Sequence, residues 1–118
     1  MALLPIGKYK MRIKISHDFS ETPGARYYGD GDYSGQEFFE TVLLEAFEKS
    51  IKNKEKLEID FDDCYGFASS FLSESFGRLS LDFGAQKVRE NIRLISNQDP
   101  ILPKQIYSVI ENPRKGEH

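Results

Sequence analysis

Two adjacent serines, Ser69 and Ser70, are the strongest candidates for functional residues in this sequence. They follow a stretch of alternating apolar and acidic residues and precede apolar residues at helical spacing. A serine at the start of a helix can accept a hydrogen bond from the free N–H groups of the first turn. The positive end of the helix also favours an anion. The pattern therefore predicts that Ser70 caps the helix or carries a phosphoryl group, and one serine can do both.

A second candidate site is acidic and comes just before the serines, at Asp60, Asp62 and Asp63. Carboxylates at the carboxyl end of a parallel strand can hold Mg²⁺. Such a site also needs acidic residues from another strand end and a nearby lysine, and the sequence identifies neither. We therefore predict a solvated acidic turn, with no metal and no cofactor. The alternative function is a small metal- or nucleotide-dependent phosphotransfer enzyme that uses Asp62 and Asp63.

Other residue types that serve catalysis are few. Cys64 follows two aspartates, whose charges oppose formation of a thiolate, so packing is its expected role. Nothing in the spacing brings His17 or His118 beside the serines, as a Ser-His-Asp arrangement requires. No cluster of Cys and His has zinc spacing. We predict that the protein is not an enzyme.

The elements that position the serines are a strand and a helix. The strand is predicted from a period of two, in which Leu57, Ile59 and Phe61 alternate with acidic residues. The helix is predicted from an apolar stripe and ends near Gly84; the stripe consists of Leu72, Phe76, Leu79 and Phe83.

The rest of the chain alternates strands and helices. The capping box from Ser34 to Glu37 starts a helix that ends near Lys52. A strand is predicted at 92–95, and a last helix is stopped by Pro113. This order predicts parallel strands joined by right-handed crossovers. The clean alternation predicts helices on one face of the sheet and more water on the other.

The first strand has an apolar face and a basic face, the latter formed by Lys8, Lys10, Arg12 and Lys14. The basic face could bind nucleic acid or lipid, or guard an edge. It could instead complement the acidic face of the strand at 57–61, if the two are neighbours. A long Gly-rich loop follows at 16–32, with a possible short strand at 26–28. Arg26 is its candidate functional residue, because long loops in small domains are often functional.

Composition sets the class of protein. With 118 residues the chain is expected to be a single domain, 1–118, with a core of about 9–112 and flexible ends at 1–7 and 113–118. A net charge of −3 gives no general attraction to nucleic acid. The single cysteine fits a reducing cytoplasm, and no apolar run is long enough for a membrane span. The oligomeric state stays open.

The serine turn resembles the central motif of STAS domains, the fold of bacterial anti-sigma-factor antagonists. There a strand leads through an Asp-Ser-Ser-Gly-Leu turn into a helix, and 68–72 falls on that turn, with Ala68 in place of Asp and Phe71 in place of Gly. The chain is more similar to a STAS-like branch of unknown function, DUF4325. Three motifs carry this resemblance over roughly 12–112: Pro23, Gly24 and Arg26; Ser34, Gly35 and Phe38; and Ser70, Phe71, Glu74 and Gly77.

The resemblance implies an α/β fold, with a small mixed, mostly parallel sheet and helices packed mainly on one face. It implies a non-catalytic regulatory or adaptor domain whose protein partner is a histidine-kinase-type ATPase or an anti-sigma factor. In STAS antagonists a partner kinase phosphorylates the second serine of the turn, which aligns with Ser70; Ser69 is the other candidate. We expect the partner surface to lie off the apolar stripe of the helix and to include Ser73, Glu74, Ser75 and Arg78, with Arg26 from the loop.

Overall fold

Three short strands lie side by side in a parallel sheet in the computed structural model, which describes residues 11–113. They are β1 (Met11–Lys14), β2 (Leu57–Asp60) and β3 (Ile92–Ile95), and β2 is central. The parallel arrangement and the internal position of β2 confirm two predictions. The other predicted residues of the first strand, 8–10, and the ends predicted to be flexible lie outside the described residues, apart from Pro113.

Helices fill the connections between the strands. Two of them, α2 (35–53) and α3 (69–83), each contain one π-helical turn, at Phe39–Leu43 and Ser73–Gly77 respectively. The other helices of the described residues are α1 (Ile15–Asp18), α4 (Ala85–Asn91) and α5 (Leu102–Glu111). In residues 11–113, no helix is long and apolar enough to cross a membrane.

Two helix ends agree with the capping signals in the sequence. Ser34 accepts the N–H of Glu37 at 3.0 Å, and Gly84 ends α3 with φ of 95°. Helix α4, which starts directly after Gly84, was not predicted from the sequence. The possible short strand at 26–28 is wrong, because the chain there enters a 3₁₀ turn at Tyr28–Asp30.

The core lies between the sheet and the helices. In the strand register, Ile13 pairs with Ile59 and Leu57 pairs with Ile92, so these apolar side chains share one face of the sheet, and all four are buried. Phenylalanines fill the space above: Phe38 stacks on Phe71 with ring centroids 5.6 Å apart, and Phe61 lies 5.8 Å from Phe76. The predicted apolar stripe of α3 is confirmed at Leu72, Phe76 and Leu79, which are buried.

The opposite face of the sheet carries charged residues. Arg12 lies opposite Glu58 in the register and donates to Glu58 at 2.8 Å and to Asp60 at 3.0 Å. Lys14 lies opposite Asp60, with Nζ 3.5 Å from its carboxylate. The structure therefore confirms that the basic face of the first strand complements the acidic face of the second.

Candidate functional site

Helix α3 begins at Ser69, and Ala68 occupies the N-cap position with extended backbone angles (φ −70°, ψ 148°). No side chain of the described residues caps this helix end. The prediction that Ser70 is the cap is therefore wrong, because Ser70 is the second helical residue and the residue at the cap position has no hydroxyl. The first N–H groups of α3 are left without an intrahelical partner, as at any helix start.

The two serines differ in accessibility. Ser69 is exposed, whereas Ser70 is half-buried. The sequence gives no reason to prefer Ser69, because the difference depends on which neighbours cover each side chain. Ser69 is therefore the more accessible of the two hydroxyls.

Ser69 lies at the edge of a groove between the start of α3 and helix α5. This groove, which we call the serine groove, has a volume of about 540 Å³. Its lining residues are Phe67, Ser69, Leu72, Lys104, Gln105, Ser108 and Val109. Apolar side chains thus lie beside polar side chains and one cation, a mixture typical of surfaces that bind proteins.

A smaller cavity adjoins the serine groove and shares Ser69 and Val109 with it. We call it the arginine cavity; its volume is about 170 Å³, and Arg26, Ser73 and Asn112 complete its lining. Arg26 comes from a loop more than 40 positions before Ser69 in the sequence, so only the fold brings the two together. The structure therefore brings two of the predicted site residues, Arg26 and Ser69, to one place.

Backbone hydrogen bonds hold the Arg26 loop against the start of α2. Gly24 N–H donates to the Tyr33 carbonyl at 2.8 Å, and Gly35 N–H donates to the Ala25 carbonyl at 2.7 Å. The carbonyl of Arg26 itself accepts the N–H of Gln36 at 2.9 Å. The backbone of Arg26 is therefore anchored at the position where this residue lines the arginine cavity.

Gly35 allows α2 and α3 to approach closely. A Cβ atom at this position would lie 2.6 Å from the Phe71 carbonyl oxygen and 3.1 Å from Cβ of Glu74. On α3 the motif glycine is Gly77, where a Cβ would lie 3.3 Å from Val109 of α5. The motif glycines thus permit the helix packing that positions the serine turn.

Three residues expected on an exposed partner surface are buried. Ser73 is 8% exposed, Glu74 5% and Ser75 0%. The prediction that they are exposed is wrong because α3 is covered by α2 and α5 as well as by the sheet, whereas the sequence suggested one buried stripe. Ser75 Oγ donates to the Phe71 carbonyl at 2.7 Å, within the helix.

Of the four predicted surface residues on α3, Arg78 stays accessible, with 36% of its side chain exposed. It bridges two helices, because its guanidinium lies 3.2 Å from Glu74 and 3.4 Å from Glu40 on α2. It also covers the Phe39 ring at 4.5 Å from the centroid. These contacts give Arg78 a role in joining α2 to α3.

The acidic turn after β2 is bound to its neighbours. The Asp62 carboxylate accepts the backbone N–H of Gln98 at 2.9 Å and the side-chain amide of Asn97 at 3.0 Å. The Gln98 hydrogen bond in particular holds the pKa of Asp62 below its usual range. Asp63 forms an ion pair with Lys14 at 3.0 Å, the nearby lysine that the sequence could not identify. Within residues 11–113, no group of three or more His, Cys, Asp or Glu is arranged to hold a metal ion.

The remaining candidate nucleophile is Cys64. Burial is the main cause that raises the pKa of its thiol to about 11, and the thiol lies 3.5 Å from the Ser20 carbonyl. Cys64 is therefore protonated near neutral pH. His17 is exposed, with Nδ1 3.1 Å from the carboxylate of the adjacent Asp18, and His118 lies outside the described residues.

Comparison with known proteins finds one family that the chain matches. A model of the STAS-like domain of unknown function (DUF4325) matches residues 34–102. The matched range contains α2, β2, α3, α4 and β3 and ends at the first residue of α5; the Arg26 loop precedes it. No curated protein and no solved structure matches the chain.

Proposed function

Because the chain belongs to the DUF4325 family of STAS-like domains, we propose that it is a non-catalytic regulatory domain whose binding to a protein partner is switched by phosphorylation at the start of α3. The observation that carries the proposal is the position of Ser69. This serine is exposed, lies on the first turn of a helix and borders a groove of about 540 Å³. The proposed setting is the cytoplasm.

The serine groove supports a protein as the bound partner. Phe67 and Val109 provide apolar contact area, while Lys104 and Gln105 can pair with polar groups around it. Interfaces between proteins combine such an apolar centre with a polar rim. By resemblance to the STAS antagonists, the partner is a histidine-kinase-type ATPase or an anti-sigma factor.

Phosphorylation would change the groove without unfolding the domain. A phosphoryl group on Ser69 or Ser70 adds about −1.5 to −2 charges near pH 7. The start of α3 tolerates such charge, since a favourable interaction with a helix N-terminus contributes about 0.3–1 kcal/mol at an exposed site. The same charge beside Leu72 would oppose burial of an apolar partner segment. Exposure makes Ser69 the first choice, and Ser70 is the second.

Phosphomimetic variants of the chain test this proposal. The partner is first isolated by affinity capture from the native cells and identified by mass spectrometry, and its affinity is then measured by calorimetry. We expect Ser69→Asp to stay folded and to lose the partner, while Ser69→Ala still binds. Thr41→Asp is the matched control, because Thr41 is an exposed hydroxyl on α2 that does not line the groove. The proposal fails if Ser69→Asp and Thr41→Asp bind the partner as tightly as the unmodified protein does.

A further inference from the structure

We infer that the arginine cavity is a binding site for a phosphate group. The inference starts from its lining, in which hydrogen-bond donors predominate. Arg26, Ser69, Ser73 and Asn112 line the cavity, each with a side chain that can donate hydrogen bonds, and Val109 is the apolar member. None of these lining residues is acidic, so the groups around the cavity favour an anion.

Ser73 provides an independent indication of a ligand. It is only 8% exposed, and its Oγ has no hydrogen-bond partner in the structure. Buried hydroxyls are normally paired, because an unpaired one costs free energy that a bound partner would recover. Other buried serines of α3 satisfy this rule, since Ser75 Oγ donates within the helix and Ser80 Oγ donates to the Ile110 carbonyl at 2.6 Å. Ser73 differs from them in lining a cavity.

The position of the cavity on α3 also suits an anion. Ser69 and Ser73 are four residues apart, so they lie on the same face of the helix, at its first and second turns. The free N–H groups and the helix dipole make this end positive. Arg26 adds a positive charge, and a guanidinium is well suited to hydrogen bonds with phosphate oxygens.

The phosphate group can come from two sources. One is a separate phosphorylated molecule that enters the cavity from solution. The other is a phosphoryl group on Ser69 itself, held by Arg26 within the same chain; this second source rests on the proposed function, whereas the first does not. In both cases the site recognises a phosphate monoester or inorganic phosphate by the same donors.

Titration of the purified protein with inorganic phosphate tests the site directly. We expect saturable chemical-shift changes at the backbone amides of Ser69 and Ser73 and at the Arg26 guanidinium in the millimolar range. Arg26→Gln should weaken the binding at least tenfold. Arg93→Gln removes an exposed arginine on β3 that does not line the cavity, so it should leave the binding unchanged.

Ser73→Ala separates a ligand role from a structural one. Because the hydroxyl has no partner in the structure, its removal should leave thermal stability without phosphate unchanged or raised. It should still weaken the response to phosphate. A loss of stability with unaltered phosphate binding would mean that Ser73 has a structural role alone and would contradict the inference.

Protein phosphorylated at Ser69 distinguishes the two sources. If the phosphoserine fills the cavity, its ³¹P signal should titrate with a pKa below that of a phosphoserine peptide, since a nearby cation favours the dianion. Arg26→Gln should raise that pKa again, and inorganic phosphate should no longer bind. If inorganic phosphate still binds, the source is a separate molecule. The inference is overturned if inorganic phosphate binds neither form of the protein and Arg26→Gln leaves the ³¹P titration unchanged.

Discussion

The acidic turn and the serine turn lie a few residues apart between β2 and α3, yet their side chains have different surroundings in the fold. The carboxylate of Asp62 is held by Asn97 and Gln98, and that of Asp63 by Lys14. These contacts join the carboxyl ends of all three strands, β1 through Lys14 and β3 through 97–98. Ser69 is exposed, as Asp63 is, but it borders a groove. A residue type suited to chemistry becomes a candidate site where the fold places it beside a groove and not in an ion pair.

A charged substitution in the core beneath both turns should cause the largest loss of stability. Phe76 is fully buried and lies against Phe38 and Phe61. Phe76→Asp buries an unpaired charge and should destabilise the domain by about 4 kcal/mol or more, enough to unfold it. Circular dichroism during thermal unfolding measures this, with Tyr65→Asp, at an 85% exposed position, as the control. A Phe76→Asp protein as stable as the unmodified one would disprove the assignment of α3.

A smaller change acts on the packing of α2 against α3, which positions the serine turn. Gly35→Ala places a methyl group 2.6 Å from the Phe71 carbonyl, so α2 and α3 must move apart, at a cost of about 1–3 kcal/mol. Chemical denaturation measures this loss. Gly29→Ala is the matched control, because nothing lies within 4 Å of a Cβ there. Equal stability of the two variants would show that the close approach is not needed.

The pH dependence of stability tests the acidic turn. The pKa of Asp62 is lowered in the folded protein, chiefly by the Gln98 N–H, so its carboxylate stabilises the fold above the unfolded pKa of about 4. That contribution is lost as the pH falls through the folded pKa. Asp62→Asn should therefore be less stable than the unmodified protein at neutral pH, and the difference should shrink below about pH 4. A difference in melting temperature that is independent of pH would contradict this.

The smallest expected effect is a response to Mg²⁺. Because Asp62 and Asp63 already have partners within the fold, Mg²⁺ added at sub-millimolar concentration should leave their amide signals unchanged. NMR titration, with the signals of β3 as an internal reference, measures this. Saturable shifts at Asp62 and Asp63 would instead support the phosphotransfer alternative over the regulatory domain.

The sequence predicts the parts of this molecule that depend on periodicity. Alternation in β2 and the stripe from Leu72 to Leu79 predict the central strand and helix, and two of the three short motifs lie within the residues that the family model matches. Exposure on α3 could not be predicted, because a stripe shows which face packs on the sheet and says nothing of helices packed on the other faces. Ser73, Glu74 and Ser75 are buried for that reason.

The arginine cavity could not be predicted from the sequence for a related reason. The Pro-Gly-x-Arg motif singles out Arg26, but its distance from Ser69 depends on how the loop folds against α2. The capping role was assigned to Ser70 because a serine at a helix start usually caps it. The helix begins two residues earlier than that role requires, so Ser69 and Ser70 both lie within its first turn.

The central claim is that phosphorylation at the start of α3 controls a protein partner. The most direct test compares partner affinity for the chain phosphorylated at Ser69 with that for the unphosphorylated chain, at equal thermal stability. We predict at least a tenfold loss of affinity, which corresponds to about 1.4 kcal/mol. Equal affinity for the two forms, with the partner still bound at the serine groove, would contradict the claim.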